Sequence, residues 1–175
     1  MAQIKLANVK NGDLNVFDMI VNLYDETALE EKQRGTESEI EIVRVHSVLA
    51  TKVENFVAEN FNEYWASEAK CAIYKNPADC FIAIHKNVIV GFACYNTSAK
   101  GFFGPTGVHS DYRGKGIGKS LLFQSLNSMR EQGFAYAIIG GVGSAEKFYE
   151  KTVNAKKIIS SENHNIFRNL GIKRE

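Results

Sequence analysis

From Arg113 to Ser120 the chain reads "RGKGIGKS". Gly114, Gly116 and Gly118 let the backbone take positive φ, and they carry no side chain to hold a ligand away. Arg113, Lys115 and Lys119 add positive charge around the same few peptide groups. Successive N–H groups in such a run turn toward one point, and a helix that starts here adds its positive end. Binding an anion is the chemistry this arrangement offers, most simply a phosphate or pyrophosphate.

A strand and a helix must hold that run. Before it, "KGFFGPTGVHS" reads as a strand bent by its glycines and Pro105. After it, "GIGKSLLFQSLNSMREQG" predicts a helix with Ile117, Leu121, Leu122, Leu126 and Met129 on the core face and Gly133 as its stop. "FAYAIIGG" is a nearly continuous apolar strand suited to a sheet centre. "SAEKFYEKTV" is a short helix, and "AKKIISS" with "HNIFRNL" predicts a hairpin around Glu162-Asn163. Upstream, "CFIAIH" and "NVIVGFACYN" form a hairpin across Lys86-Asn87, a weak turn signal.

The N-terminal part reads as one strand and then helices. "IKLANV" alternates and meets the turn Asn11-Gly12-Asp13. Leu14, Phe17, Ile20, Val21 and Tyr24 have helical spacing behind Asp13 as N-cap. Ser38 and Glu41 have capping-box spacing. The stripe Val45, Val48, Leu49, Val53, Phe56, Val57 and Phe61 predicts a long amphipathic helix over 39–63. "EYWASEAKCAIYKN" predicts a shorter helix ending before Pro77. The expected class is α/β, with a mixed, mostly antiparallel twisted sheet flanked by helices, as one domain over 1–175.

Composition narrows the function. A formal net charge of +1 leaves no broad footprint for nucleic acid, so an anion site must be local. Cys71, Cys80 and Cys94 are odd in number and lack CxxC spacing, which argues against zinc and for buried free thiols. The N-terminus lacks an apolar leader, and no long apolar run follows, so a cytoplasmic protein with no membrane partner is expected.

Three phosphate-binding patterns compete for the glycine run. A nucleoside-triphosphate loop needs a glycine where Arg113 stands and a metal-binding acid at the end of a strand, which is missing. A dinucleotide fingerprint needs glycine where Lys119 stands. The pattern [RQ]-x-x-G-x-[GA] is satisfied by Arg113, Gly116 and Gly118. With "GPTGVHSDYRGKGIGKSLL" before a helix and strand, and "AEKFYEKTVNA" after them, the chain resembles the GNAT superfamily of acetyl-CoA-dependent N-acetyltransferases. The likeness is tight over 101–158 and elsewhere rests on element order.

That resemblance implies acetyl-CoA as cosubstrate and no metal. Its pyrophosphate falls to Arg113, Gly114, Lys115, Gly116, Ile117, Gly118, Lys119 and Ser120. The backbone of Thr106, Gly107 and Val108 falls to the pantetheine arm, with the Val108 N–H polarising the carbonyl. Val108 is equally a core strand residue, and both readings hold together because the contact uses backbone. Tyr149 is implied as the acid that protonates the departing thiolate; by helical spacing alone it would pack in the core with Phe148. The family often has a glutamate on the strand before the loop, and here that strand has no carboxylate. His109 is the nearest candidate base, with solvation or cofactor contact as its other reading, and a water chain can replace it. Two further departures are Ser110 in place of a proline and Val142 in place of an asparagine, with Gly140, Gly141 and Gly143 offering backbone instead.

The first two helices are expected to wall the acceptor site. The acidic run Asp25, Glu26, Glu30, Glu31, Glu37, Glu39 and Glu41 would favour a cationic amine if it lines the cleft, and otherwise is a solvated edge. Tyr64, Trp65 and Tyr95 either line the pocket or pack in the core. The expected reaction is acetyl transfer to a primary amine of a small molecule. The alternatives are a protein lysine or N-terminus as acceptor, and a non-catalytic acyl-CoA-binding module. The resemblance also implies a homodimer.

Overall fold

The computed structural model describes residues 16–24, 39–162 and 164–166. The predicted strand "IKLANV", its turn, and most of the acidic run lie outside these residues. The described elements, in chain order, are β1 (Asp18–Asn22), β2 (Ile40–Arg44), α1 (Ala50–Asn60), α2 (Glu63–Ile73), β3 (Cys80–His85), β4 (Val88–Tyr95), β5 (Phe102–Val108), α3 (Ile117–Glu131), β6 (Tyr136–Ile139), α4 (Glu146–Val153) and β7 (Lys156–Ile158). The class is the expected one, α/β with a mixed, mostly antiparallel sheet flanked by helices.

The chain forms two compact units, a larger one over Asn22–Ala137 and a smaller one made of Met1–Val21 and Ile138–Glu175. In the larger unit the strands run in the order β2-β3-β4-β5, each antiparallel to its neighbour. Lys86 and Asn87 close the β3–β4 hairpin with φ of 48° and 65°. Positive φ at both turn residues follows the right-handed twist of the strands, and asparagine tolerates it best. Between β4 and β5 the register shifts between Ala93 and Tyr95, because Thr106 pairs with Ala93 and Phe103 with Tyr95. The strand bends there, at Gly104 and Pro105, as the sequence led us to expect.

Two expected helices give way to strands. The spacing predicts a helix over 13–26, yet β1 occupies 18–22, and Phe17, Met19, Val21 and Leu23 are all buried. That is period two, and Tyr24, assigned to the helical stripe, is exposed. The long helix over 39–63 starts late. Ile40–Arg44 form β2 against β3, the Val45 N–H closes onto the Cys80 carbonyl at 2.9 Å, and the helix begins at Ala50. Ile40, Ile42, Val43 and Val45 are β-branched, which favours the pleated surface over a helix turn.

Most of the predicted α1 stripe meets the sheet, whereas Val48, in the 3-10 turn before the helix, is exposed. Val53, Phe56 and Val57 of α1 and Ala66, Ala69, Ala72 and Ile73 of α2 cover Ile82, Phe92, Cys80 and Cys94. Three of these four α2 residues are alanines, so most of that face is short and only Ile73 reaches deep into the cluster. Cys80 and Cys94 are buried free thiols with sulfurs 3.3 Å apart; Cys71 departs from expectation and is exposed. On the α3 face, Arg44 donates from Nη1 to the Ala78 carbonyl (2.6 Å) and the Tyr95 hydroxyl (3.0 Å), and from Nη2 to Ser128 Oγ (2.7 Å). Gln132 Nε2 donates to Tyr95 Oη and to Asp79 Oδ1. Tyr95 therefore belongs to a buried polar network; its phenol is raised from its ordinary value by burial, with Ser128 and Arg44 opposing.

In the smaller unit β1 pairs antiparallel with β7, Asp18 opposite Ile158. The Asp18 carboxylate accepts from Gly141 N–H at 3.0 Å, and burial raises its pKa against that bond. The Gly141 amide is therefore engaged within its own unit. After β7 the chain enters a 3-10 turn over Ile159–Glu162, so the expected hairpin around Glu162-Asn163 does not extend from β7 as a strand; most of its second arm lies outside the described residues.

Candidate functional site

The anion loop is built from the end of β5. His109 N–H donates to the Val90 carbonyl at 2.9 Å. Alternation along an antiparallel ladder then turns the N–H and C=O of Val108 away from β4. The Val108 carbonyl accepts from Arg113 Nε at 3.1 Å, which folds the loop back onto the strand end. Between them Ser110–Tyr112 form a 3-10 turn capped by His109, whose Nδ1 accepts from the Asp111 N–H at 3.3 Å. A ring accepting at Nδ1 carries its proton at Nε2 when neutral. His109 is thus a cap in this arrangement, and it acts as a base only through a change of tautomer.

Gly114 and Gly116 both have φ of +79°, and Gly116 is the N-cap of α3. No side chain caps this helix, and its first turn has no acidic residue. The first-turn N–H groups of any α-helix lack intrahelical acceptors, so α3 begins with outward-facing donors and a positive dipole end. Gly118 sharpens the point. Its φ is not in the left-handed region, and a Cβ there would meet only Val108 Cγ2, at an ordinary 3.6 Å. Neither backbone nor protein packing demands a glycine at 118, so the space it leaves fits a ligand. A diphosphate fits this donor set.

The charged and apolar members divide the work. Arg113 is exposed. The Lys115 ammonium lies 5.3 Å from the Tyr112 ring centre, and that of Lys119 lies 5.8 Å from the ring of Phe123. Ile117 is buried, its Cγ2 against Gly91, so only its backbone faces the loop. Ser120 N–H is already bonded to the Gly116 carbonyl at 3.1 Å. Thr106 donates its hydroxyl to the Phe92 carbonyl at 3.0 Å, leaving backbone as its means of ligand contact. The structure brings Val108, Arg113, Gly116 and Gly118 together at the strand end. Tyr149 lies in the smaller unit, on α4, where burial pushes its phenol up to about 12 and its ring meets Phe148 edge to face.

Two contacts near the loop lie beyond what spacing shows, although the sequence offers His85, at a strand end, as a weaker candidate base than His109. His85 at the end of β3 contacts the Tyr112 hydroxyl through Nδ1 (3.3 Å) and Glu39 Oε2 through Nε2 (3.1 Å). The Glu39 carboxyl is held below its ordinary value by His85 and then by Lys86. Phe61, at the end of α1, lies against Gly107 of β5. No local signal announces either contact, because each joins distant parts of the chain.

The profile of the Acetyltransferase (GNAT) family matches residues 42–154. The chain belongs to that family. No curated protein matches it significantly by sequence. Among solved structures it is similar to a glucosamine N-acetyltransferase region of a fungal multi-domain GH3 β-N-acetylglucosaminidase. That match has 15% identity and a TM-score of 0.62, and covers 82% of this chain and 20% of the fungal one. A GCN5-related N-acetyltransferase from Sphaerobacter thermophilus is 19% identical, with a TM-score of 0.59 and coverage of 82% and 48%. One from Kribbella flavida is 16% identical, with a TM-score of 0.59 and coverage of 81% and 54%. The chain thus spans roughly a fifth to a half of these proteins' lengths, and the likeness is one of fold. Among the described residues, no cluster of His, Cys, Asp or Glu forms a metal site, and no helix is long and apolar enough to cross a membrane.

Proposed function

We propose that this GNAT-family protein transfers an acetyl group from acetyl-CoA to the primary amine of a small molecule, by direct attack in a ternary complex. The observation that carries the reading is the uncapped start of α3 behind two glycines at φ +79°, placed at the end of a strand whose Val108 peptide turns away from β4. Bound acetyl-CoA supplies the acyl thioester. The loop from Arg113 to Ser120 holds its diphosphate with backbone donors and local positive charge. Thr106, Gly107 and Val108 align its arm through backbone, and the Val108 N–H steadies the carbonyl oxygen as it gains negative charge.

Tyr149 is assigned as the donor to the leaving sulfur on the strength of its place in the family motif. A phenol held at about 12 stays protonated across the neutral range, so it is present as a hydrogen-bond donor to the sulfur as the carbon–sulfur bond breaks. The ammonium of the acceptor loses its proton to water or to the His109 Nε2-deprotonated tautomer.

The test is thiol release from acetyl-CoA with a panel of amines, including amino sugars such as the one named for the fungal neighbour, polyamines, and lysine peptides. Amine-dependent release with small molecules supports the reading. Release only with peptides moves the acceptor to protein, and acetyl-CoA binding without release makes the protein a non-catalytic binder. Tyr149→Phe is expected to lower turnover by about a hundredfold or more, the usual range for a proton donor, with acetyl-CoA affinity unchanged. Equal turnover removes Tyr149 from the chemistry.

A further inference from the structure

Phe61 sits where nothing in its own sequence neighbourhood places it. It ends α1, with its N–H bonded to the Val57 carbonyl at 3.0 Å. A Cβ built on Gly107 would lie 2.3 and 2.4 Å from two Phe61 ring carbons, closer than atoms approach, so the ring rests directly on the Gly107 backbone. Gly107 has no positive φ to explain its glycine; the ring explains it. Phe61 is also braced. It stacks on Trp65 with centroids 5.5 Å apart at 24°, meets the edge of Phe92 at 5.4 Å, and contacts Phe56 at 6.0 Å. A ring held by three aromatic neighbours does not swing aside at low cost. It is nevertheless only half-buried, so part of its surface is not taken up by the core.

We propose that the Phe61 ring limits the acyl group this protein accepts, admitting acetyl and turning away longer chains. The inference rests on the reading above that β5 carries the acyl end of acetyl-CoA. Gly107 and Val108 are adjacent, about 3.3 Å apart along the strand. An acyl carbonyl held by the Val108 N–H therefore has its alkyl end beside the neighbouring Gly107, on whose face the ring already lies. One methyl fits beside such a wall, and each further methylene must displace the ring or its stack. A glycine at 107 with a fixed aromatic on its face thus makes a size filter.

The experiment measures dissociation constants of acetyl-, propionyl- and butyryl-CoA by calorimetry for the full chain, alongside melting temperatures, so no acceptor is needed. Wild type is expected to bind acetyl-CoA tightest and to lose affinity down the series. Phe61→Ala is expected to raise the butyryl-to-acetyl affinity ratio at least about tenfold, the usual worth of a methylene in a fitted pocket. Phe61→Leu should raise it by less, and it keeps an apolar side chain in the core should the alanine variant fail to fold. Gly107→Ala tests the contact itself: it should lower the melting temperature in wild type and much less in the Phe61→Leu background. An unchanged ratio in a folded Phe61 variant overturns the inference, because a purely structural ring moves the melting temperature alone. Wild type that binds none of the three thioesters overturns the acetyl-CoA reading instead, and that result is distinct.

Discussion

Two helices of the larger unit begin in opposite ways. α2 starts behind Asn62, whose side chain accepts from the Trp65 N–H at 2.8 Å, and it has Glu63 in its first turn. Both features satisfy the helix from within the chain. α3 starts behind a left-handed glycine, with no side-chain cap, no acid in its first turn, and a lysine at its third position. The same backbone problem is solved once by the protein and once left for something outside it. A helix end finished by its own sequence serves stability, and one kept open among glycines and cations serves binding.

The sharpest way to break this contrast is to finish α3 as α2 is finished. Gly118→Asp puts a carboxylate in the first turn, where the added Cβ meets only ordinary contact. Stability should rise by about 1 kcal/mol, from removing a helical glycine and complementing the dipole. Affinity for CoA should fall by about 30–100-fold, since like charges at contact distance cost about 2–3 kcal/mol. Opposite signs in melting and calorimetry support the contrast; unchanged affinity ends it.

Asn62→Ala is the converse. It should cost about 1 kcal/mol of stability, seen as a fall of about 2–4 °C in melting temperature, with CoA affinity preserved. The smallest effect concerns the surroundings of the loop. Glu39→Gln removes the carboxylate that faces His85 and Lys86. Because the folded Glu39 carboxyl is held below its ordinary 4.5, its contribution is complete above that value and fades as pH falls through the folded one. The stability difference between Glu39→Gln and wild type, read from urea midpoints, should therefore be present at neutral pH and vanish in acid.

What the sequence revealed depends on how locally each feature is encoded. The loop was legible because glycines and cations act through their own backbone and charge, and α3 because its apolar stripe is long. β1 was misread because Phe17 and Val21 belong to both a helical and an alternating pattern; the burial of Met19 and Leu23 decides for the strand. β2 was absorbed into the following helix because the stripe is genuine from Val53 onward, and only the β-branched run before it and the exposed Val48 mark the boundary. Phe61 was invisible as a site residue and His85 was visible only as a weaker candidate base than His109, since packing of distant elements makes both of their contacts. The missing carboxylate on β5 was visible in the sequence, and the structure adds that His109 uses Nδ1 to cap a turn.

The Arg44 cluster has a consequence for the mouth of α3. Ser128, which Arg44 holds at 2.7 Å, lies eleven residues along the helix from Ile117, a span of about 16 Å. A rigid rod fastened to the sheet at its tail points its head in one direction. The direction of the loop is thus partly set by an arginine, a tyrosine and a serine near the opposite end of the helix, and loosening that tether would let the glycine run swing.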